Sequence, residues 1–556
     1  MKKLLAMMLT VILALTALMG CGGSNDSTTK ATEKDQPSAS QGTQGTEEAT
    51  QSNPGEYTLP LTEEKQELTV WLAYSGSVVT DLNEIEGVKK MEELTNVHIN
   101  WIPIEQQQIS DKMGILLTSG SYPDIIDTNV LPGGIDKNIE DGVIRPDHDK
   151  LIKTYMPNYM KYLEENETAR KQATADDGTL KIVRILVGED YNVKAEGVYQ
   201  GVAYRKDLLE SLGLEEPKTI EGWHDALVKA KESGIENPFM INTTGGSFLS
   251  LAWGVTTMSQ TYLQMGENGK VLGAALQDGF GQYLETMRKW YAEGLIDPNF
   301  TSFNFYLDTP NSVENNKQLL YTHILSAFTG NNYATYHMVN NQDEFLQPIV
   351  APAADGGETY MDYSPLEGKD QMFITTSCKN PELAAKWLDF FFTKEGELLN
   401  WYGIEGTTYT MDADGIPQFT DMVLNDPNHT PPATILEKYA LGWGNCWIGK
   451  HNTVASEKVA TAAAGGMNQQ AAAVEIWTSG VKNIGLPSGY TLTEEESDKV
   501  STKQTAVQTL IEEYMVNYII GNDDTSFEDF KTKLVQFGYQ EIIDTYQAAI
   551  DRFNNR

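Results

Sequence analysis

Cysteine is scarce in this chain of 556 residues, which contains only three. A disulfide-stapled scaffold is therefore excluded, because such folds depend on several cysteine pairs. Basic residues are outnumbered too, with 41 Lys and Arg against 78 Asp and Glu and a formal net charge of −37. Because so negative a surface repels phosphate groups, we expect neither nucleic acid nor an anionic lipid surface as a partner.

Motifs for catalysis, nucleotide binding and metal binding are lacking as well. The seven histidines never occur at HxH or HExxH spacing, which excludes a helix-borne zinc site. Residues 444–450 (GNCWIGK) match the spacing of a phosphate-binding loop, but His451 follows where Ser or Thr is needed. Residues 412–415 (DADG) lack the later acidic ligands of a calcium loop and predict a hairpin turn. We expect no catalytic residue, no cofactor and no metal at the functional site. The sequence does not decide whether a structural calcium ion is bound elsewhere.

Apolar residues run without interruption only near the N-terminus. Lys2 and Lys3 precede an apolar stretch over residues 4–18, which ends in LMGC at residues 18–21. This pattern predicts a signal peptide over residues 1–20, since the stretch is too short for a stable transmembrane helix. The last four residues resemble a bacterial lipobox, which predicts fatty acylation (palmitate) of Cys21 and anchoring to the cell membrane. A plain secreted protein is the alternative.

A polar segment follows this cysteine. Residues 22–56 are mainly Gly, Ser, Thr, Gln, Asp and Glu, with almost no large apolar side chain. Such a composition cannot offset its ordering entropy. We therefore expect residues 21–56 to be a lipidated cysteine with a disordered tether.

From residue 57 onward, short apolar strands alternate with amphipathic helices. The spacing predicts strands over residues 68–74 and 97–102 with a helix over residues 82–95 between them, and this order favours a parallel sheet. A further helix over residues 109–118 precedes a short strand, 124–126, whose end is expected to project Asp127 and Thr128 into a loop. Ligands of open α/β sheets bind outside such strand ends.

Helix signals are clear in the second half of the chain. Asn380 and Pro381 predict a helix start, and Gly396 its end. Near the C-terminus, Ser526 with Asp529 resembles a capping box, and Gly538 separates that helix from a final one.

Several tryptophans lie in segments with loop character rather than in periodic elements. They are Trp253, Trp401, Trp443 and Trp447, surrounded by Gly, Tyr, Asn and Ser. Exposed aromatic planes among amide and carboxylate groups suit an uncharged polyhydroxylated ligand, because a sugar's apolar face stacks on the ring. Plain packing explains any single one of them equally well. Cys378 and Cys446 have no CxxC partner and are expected to be free thiols.

Motifs spread over nearly the whole mature sequence resemble one known family. They are residues 91–98 (MEELTNVH), 117–126 (LTSGSYPDII), 204–209 (YRKDLL), 217–223 (PKTIEGW), 293–298 (EGLIDP), 380–387 (NPELAAKW), 402–409 (YGIEGTTY) and 546–552 (YQAAIDR). In this order they resemble the family 1 extracellular solute-binding lipoproteins of bacterial ABC importers, in the long branch associated with oligosaccharide uptake.

The resemblance implies an α/β, two-lobed periplasmic-binding-protein-like (type II) fold with a multi-segment hinge and a helical C-terminus. Residues 57–197 and 342–400 would form the first lobe, and residues 198–341 and 401–556 the second. The protein would be a monomer that performs no covalent chemistry, captures an oligosaccharide and delivers it to membrane permease subunits driven by a cytoplasmic ATPase. The expected ligand-binding residues are Tyr74, Ser75, Asp124, Asp127, Trp253, Glu405, Tyr409, Trp443 and Trp447.

Three alternatives share the size and the anchor. The first is a lipoprotein that binds a peptide or another solute, and the second is a surface-anchored glycoside-active enzyme, because 78 acidic residues supply many carboxylate pairs. The third is a receptor that presents its ligand to a membrane sensor.

Overall fold

A computed structural model describes most of the chain that follows the expected tether. The described residues are 57–184, 186–187, 198, 200–259, 261–303, 312, 315–322, 346–364, 371–428, 430–444, 446, 448–452, 455, 458–459 and 469–556. The expected signal peptide, Cys21 and the expected tether lie outside these residues, as does Trp447.

Strands and helices alternate along most of this part of the chain. The strands are β1 Gln66–Ala73, β2 Val97–Ile104, β3 Ile125–Thr128, β4 Val183–Arg184, β5 Leu186–Val187, β6 Val202–Arg205, β7 Leu263–Met265, β8 Val271–Gly273, β9 Leu320–Thr322, β10 Leu346–Ile349, β11 Tyr360–Met361, β12 Gln371–Ile374, β13 Tyr409–Met411, β14 Pro417–Phe419, β15 Lys450–His451 and β16 Lys482–Asn483. The α-helices are α1 Glu86–Thr95, α2 Ile109–Ser119, α3 Gly134–Glu140, α4 His148–Tyr155, α5 Pro157–Glu165, α6 Glu167–Ala173, α7 Lys206–Ser211, α8 Ile220–Glu232, α9 Asp278–Ala292, α10 Pro381–Phe390, α11 Lys394–Trp401, α12 Asp421–Leu424, α13 Pro432–Leu436, α14 Gln469–Thr478, α15 Glu494–Ile519, α16 Phe527–Gln536 and α17 Tyr539–Asn554. None of the described helices is long and apolar enough to cross a membrane.

The first sheet has five strands in the order β2-β1-β3-β12-β4. Strand β1 pairs in parallel with β2 and β3, as the β-α-β order predicts. Strand β12 pairs antiparallel with β3 and β4, so the expectation of a parallel sheet holds for three strands only. Alternate residues of β1 face opposite sides, with Val70 and Leu72 packed on one face and Trp71 on the other.

Local signals explain where several helices begin. The Asn380 side chain accepts a hydrogen bond from the Leu383 N–H, and Pro381 occupies the first turn of α10, as the sequence predicts. The predicted end of that helix at Gly396 is wrong. Helix α10 ends at Phe390, and Gly396 lies in α11, where the Thr393 side chain caps the Gly396 N–H. The predicted cap at Ser526 is confirmed by its hydrogen bond from the Asp529 N–H.

Two large apolar clusters fill the interior. The first core contains Val70, Leu72 and Trp387, packed between the five-stranded sheet and its helices. The second core surrounds an antiparallel three-stranded sheet of order β10-β6-β9 and contains the buried rings of Trp223 and Trp290. These clusters form because each element exposes an apolar face that is stable only when covered.

Two segments pack in a different core from the one that the expected lobe boundaries assign to them. Strand β10 pairs with β6, so residues 346–349 join the second core rather than the first. Conversely, Leu441, Cys446 and Ile448 pack in the first core, although they lie beyond residue 400. The expected boundaries missed both because cross-strand pairing and burial depend on partners far away in sequence. Cys378 and Cys446 are both buried, and no disulfide bond joins them, as predicted.

Candidate functional site

The carboxyl end of β1 runs into a short loop that touches a distant segment. The Ser75 N–H donates to the Gly444 carbonyl over 2.8 Å. Tyr74 is buried, and its ring packs so closely on Gly444 that no side chain fits there. The predicted site residues Tyr74, Ser75 and Trp443 are thus brought together at one strand end, where α/β folds place ligands.

A carboxylate that the sequence did not single out fixes this loop. Glu437 accepts hydrogen bonds from the backbone N–H groups of Ser77, over 2.8 Å, and Val78, over 2.9 Å. Burial, with the charge of Glu437 nearby, raises the pKa of Tyr74 to about 12, so its hydroxyl stays protonated at physiological pH. No sequence signal links Glu437 to residues 360 positions away.

Aromatic rings continue from this strand end into a small cluster. The Trp443 ring meets Trp401 edge to face with centroids 6.0 Å apart, and its Nε1–H donates to the Trp401 carbonyl over 2.8 Å. Tyr402 packs in the same way against Tyr409, with centroids 5.7 Å apart. Burial and the charge of the nearby Glu405 raise the pKa of Tyr409 to about 12. We call Tyr74, Ser75, Trp401, Tyr409 and Trp443 the strand-end group.

Glu405 lies at the edge of the strand-end group. Its backbone forms a β-bridge with Tyr409, and its side chain is exposed. An exposed carboxylate next to buried rings is available to accept hydroxyl donors.

A second candidate surface is a groove beside the second core, with a volume of about 970 Å³. The half-buried Trp253 ring lines it and meets Tyr283 edge to face at 5.9 Å. Tyr360 lines it too, and its ring covers Gly254. The amide groups in the lining belong to Gln264, Asn268, Gln277, Gln282 and Asn483. Of this lining, Trp253 alone was proposed from the sequence, because the lining is assembled from separate segments.

The groove lining is acidic on balance. It contains the carboxylates of Glu267, Asp278 and Asp355 and one ammonium group, that of Lys482. Lys482 forms ion pairs with Glu267, over 3.6 Å, and with Glu358. Asp278 also pairs with Lys531, over 3.1 Å.

Two predicted site residues lie elsewhere in the sheet. Asp124 precedes β3, at the end of the sheet opposite Tyr74, and its Oδ2 accepts hydrogen bonds from the N–H and Oγ1 of Thr69, both over 2.7 Å. Asp127 lies inside β3 opposite Met372 and is only 3 % exposed, rather than in a loop after the strand. The predicted loop position of Asp127 was wrong because β3 runs two residues further than the hydrophobic pattern indicates.

Comparison of the sequence with known protein families identifies the family of this chain. The sequence profile described as bacterial extracellular solute-binding protein matches residues 83–398, which is more than half of the chain. The chain belongs to this family. As an extracellular solute-binding protein, it works outside the cytoplasm, which agrees with the expected signal peptide.

Relatives of this solute-binding protein match over most of their length. The fructooligosaccharide ABC transporter substrate-binding protein FusA of Streptococcus pneumoniae is 26 % identical over 520 residues, covering 89 % of this chain and 92 % of FusA. The structure of FusA in complex with kestose has a TM-score of 0.68 at 24 % identity, over 88 % of this chain and 99 % of that one. An extracellular solute-binding protein from Bifidobacterium longum subsp. infantis gives 0.71 at 16 % identity, over 88 % and 98 %. The fold is therefore the two-lobed α/β fold of substrate-binding proteins.

Metal ligands do not gather within the described part of this solute-binding protein. Those residues contain no group of three or more His, Cys, Asp or Glu side chains placed to hold a metal ion. Asp412 instead closes the turn between β13 and β14 through a hydrogen bond from the Ile416 N–H, which confirms the predicted hairpin.

The close contact between Gly444 and Tyr74 can be tested by substitution. A Cβ at Gly444 would overlap the Tyr74 Cε2 atom and lie 2.7 Å from Cδ2 and Cζ. We expect Gly444→Ala to lower the free energy of unfolding by about 1–3 kcal/mol through overpacking, measured by urea denaturation. Gly114 in α2 is the matched control, since a Cβ there meets nothing within 4 Å and Ala is the better helix former. Equal stability of both variants would contradict the contact.

Proposed function

We propose that this solute-binding protein captures an uncharged oligosaccharide outside the cell and delivers it to the permease subunits of an ABC importer, which a cytoplasmic ATPase drives. The observation that carries the proposal is the match to the fructooligosaccharide-binding protein FusA along 92 % of the length of FusA. The protein performs no covalent chemistry in this role. Ligand stabilises the closed state of the two lobes through its higher affinity for that state.

The chemistry of the groove supports a sugar ligand. Trp253 and Tyr360 offer aromatic surface, and the surrounding amides and carboxylates offer directional hydrogen bonds. An apolar sugar face stacks on such rings while its hydroxyls bond to the polar groups. The volume of about 970 Å³ is at the upper end of ordinary ligand pockets, which suits more than one sugar ring.

The charge of the groove bears on the class of sugar. Its lining carries three carboxylates and one ammonium group that is already ion-paired. The whole chain adds a net charge of −37. Because like charges repel across a groove of this size, neutral oligosaccharides are favoured over uronates.

Further residues of the proposed ligand site come from the strand-end group. Tyr74, Ser75, Tyr409 and Trp443 lie at the end of β1 or beside it, and exposed Glu405 borders them. Trp447 follows in sequence and belongs to the proposal on its sequence context alone. We also propose that one lobe surrounds the first core and the other the second core, that the protein is a monomer, and that lipidated Cys21 anchors it to the cell membrane.

A thermal-shift screen tests the proposed ligand class. The panel contains kestose and longer fructooligosaccharides, neutral glucose oligomers, uronate oligomers and short peptides. A ligand at 100 times its Kd stabilises the bound state by about 2.7 kcal/mol, so a neutral oligosaccharide should raise the melting temperature by several degrees. A shift with peptides alone would replace the carbohydrate proposal by a peptide-binding one, and sugar products released during incubation would indicate an enzyme.

Removal of the groove tryptophan is expected to weaken sugar binding. Trp253→Ala deletes a stacking surface and should raise the Kd for the best sugar of the panel about five- to tenfold, measured by isothermal titration. Tyr291→Ala is the matched control, because Tyr291 is also half-buried against the second core but packs on Phe300 outside the groove. An unchanged Kd for Trp253→Ala would remove the groove from the proposal, and Trp443→Ala then tests the strand-end group.

A further inference from the structure

One carboxylate joins parts of the chain that belong to different cores. Asp176 lies between Ala173 and Leu180, which both pack in the first core. Its Oδ2 accepts a hydrogen bond from Arg552 Nε over 2.7 Å, and its Oδ1 accepts one from Arg556 Nε over 2.8 Å. Both arginines follow Ile550 of α17, which packs in the second core.

The two arginines have further partners on the side of the second core. Arg552 Nη1 donates to Glu496 Oε1, at the start of α15, over 2.7 Å. Arg556 Nη1 donates to the Gly489 carbonyl over 2.9 Å, and the Arg556 side chain is only 2 % exposed. We call Asp176, Glu496, Arg552 and Arg556 the arginine clamp. It contains two cations and two anions, so the charges balance.

The two backbone segments beside the arginine clamp pack directly against each other. Arg556 Nη1 also donates to the carbonyl of Lys171, in α6, over 3.3 Å. Beside it, Gln172 Nε2 donates to Ser488 Oγ over 2.8 Å. A Cβ at Gly489 would lie 3.0 Å from the Cβ of Gln172. Helix α6 and the segment before α15 therefore touch without intervening space.

Charge pairing holds both carboxylates of the clamp ionised. Burial alone raises the pKa of Asp176, but the hydrogen bonds from Arg552 and Arg556 outweigh it and lower that pKa below its ordinary value. Hydrogen bonds from Arg552 likewise lower the pKa of Glu496. Separating the two cores at this place would break both charge-assisted hydrogen bonds that Asp176 accepts from the arginines.

We propose that the arginine clamp is the fixed pivot of this two-lobed protein, intact with and without ligand, about which the lobes turn. Contacts between lobes either persist near the hinge or form only on closure. The full burial of Arg556 and its bonds to backbone carbonyls on both sides favour the persistent kind. The clamp residues then act as positioning residues, because they set the axis of closure without touching ligand. This inference goes beyond the proposed function and rests on the assignment, proposed above, of one lobe to each core.

A disulfide across the junction tests the pivot in the full-length protein. Gln172→Cys with Gly489→Cys brings two Cβ atoms to 3.0 Å, closer than the roughly 3.5–4.5 Å of an ordinary disulfide. Gly489 has a φ of 89°, so Cys is strained there, and this strain is present in the oxidised and the reduced form alike. The oxidised and reduced forms of the same variant are compared, so any effect of the substitutions on folding cancels. A pivot predicts that both forms show the same Kd for kestose within twofold and the same decrease in radius of gyration on binding, measured by X-ray scattering. Loss of binding or compaction on oxidation would overturn the proposal.

Substitution of the clamp itself gives a readout that needs no ligand. Asp176→Asn is expected to lower the urea midpoint of the unliganded protein while the Kd for kestose stays within threefold. Asp551→Asn is the matched control, since Asp551 is exposed on α17 and its carboxylate accepts a hydrogen bond from Gln547 of the same helix. A contact formed only on closure would give the opposite pattern, with an unchanged midpoint and a Kd raised tenfold or more.

Two outcomes separate this inference from the proposed function. If kestose fails to bind the wild-type protein, the sugar of the panel with the largest thermal shift replaces it, and failure of every sugar counts against the proposed function alone. The unliganded midpoint still decides whether the clamp is closed without ligand. If Asp176→Asn does not fold, Arg552→Lys, which keeps the charge but loses the paired hydrogen bonds, takes its place with a smaller expected shift.

Discussion

Replacing Asp207 by Asn is expected to lower the free energy of unfolding by about 3–5 kcal/mol. The Arg205 side chain at the end of β6 is fully buried, and its Nε and Nη2 donate to the two carboxylate oxygens of Asp207 over 2.7 and 2.6 Å. Asn has nearly the same shape as Asp but carries no charge. The buried Arg205 guanidinium would then keep its positive charge with neither the carboxylate nor water to compensate it. Urea denaturation, followed by tryptophan fluorescence, measures the loss.

Two further variants show whether the buried charge is the cause. Glu93→Gln breaks an exposed pair with Lys90, 3.0 Å apart, and should change the stability by no more than about 0.5 kcal/mol. Adding Arg205→Met to Asp207→Asn removes the stranded charge and should recover part of the loss, because apolar replacements of buried ion pairs are often neutral. Similar effects of the buried and the exposed substitution would contradict this account.

Acid is expected to destabilise the protein through one buried histidine. His148, the first residue of α4, is 1 % exposed, and its Nε2 accepts a hydrogen bond from the Ile374 N–H over 2.8 Å. Burial lowers the pKa of His148 to about 4, against about 6.5 in an unfolded chain. The folded state therefore binds the proton less readily than the unfolded state does.

The sign and size of the acid effect follow from this difference. The stabilisation is fully present above pH 6.5 and is lost as the pH falls towards 4, because only the unfolded chain gains the proton in that window. The expected loss from this residue is about 3 kcal/mol. Urea denaturation at a series of pH values measures it, and His148→Gln should flatten the profile by that amount. Parallel profiles for the wild type and His148→Gln would show that His148 does not carry the effect.

Elements with strong local signals could be predicted from the sequence. The alternating apolar residues of β1 and the cap and proline at the start of α10 act over a few residues, so neighbours in sequence decide them. The end of α10 was misjudged because Thr393 starts a new helix before Gly396 is reached. Trp253 and Tyr74 were proposed from residue type and position, whereas Glu437 and the amides of the groove carried no signal.

The sequence by itself determined the acidic charge, the order of the first three strands and the helices between them and, through its motifs, the family. Only the tertiary structure decided that β12 enters the first sheet antiparallel, that Asp127 is buried in it, and that Asp176 meets Arg552 and Arg556. The physical reason is distance along the chain. Capping and periodicity are energies between near neighbours, but a contact across 376 positions depends on the path of everything between.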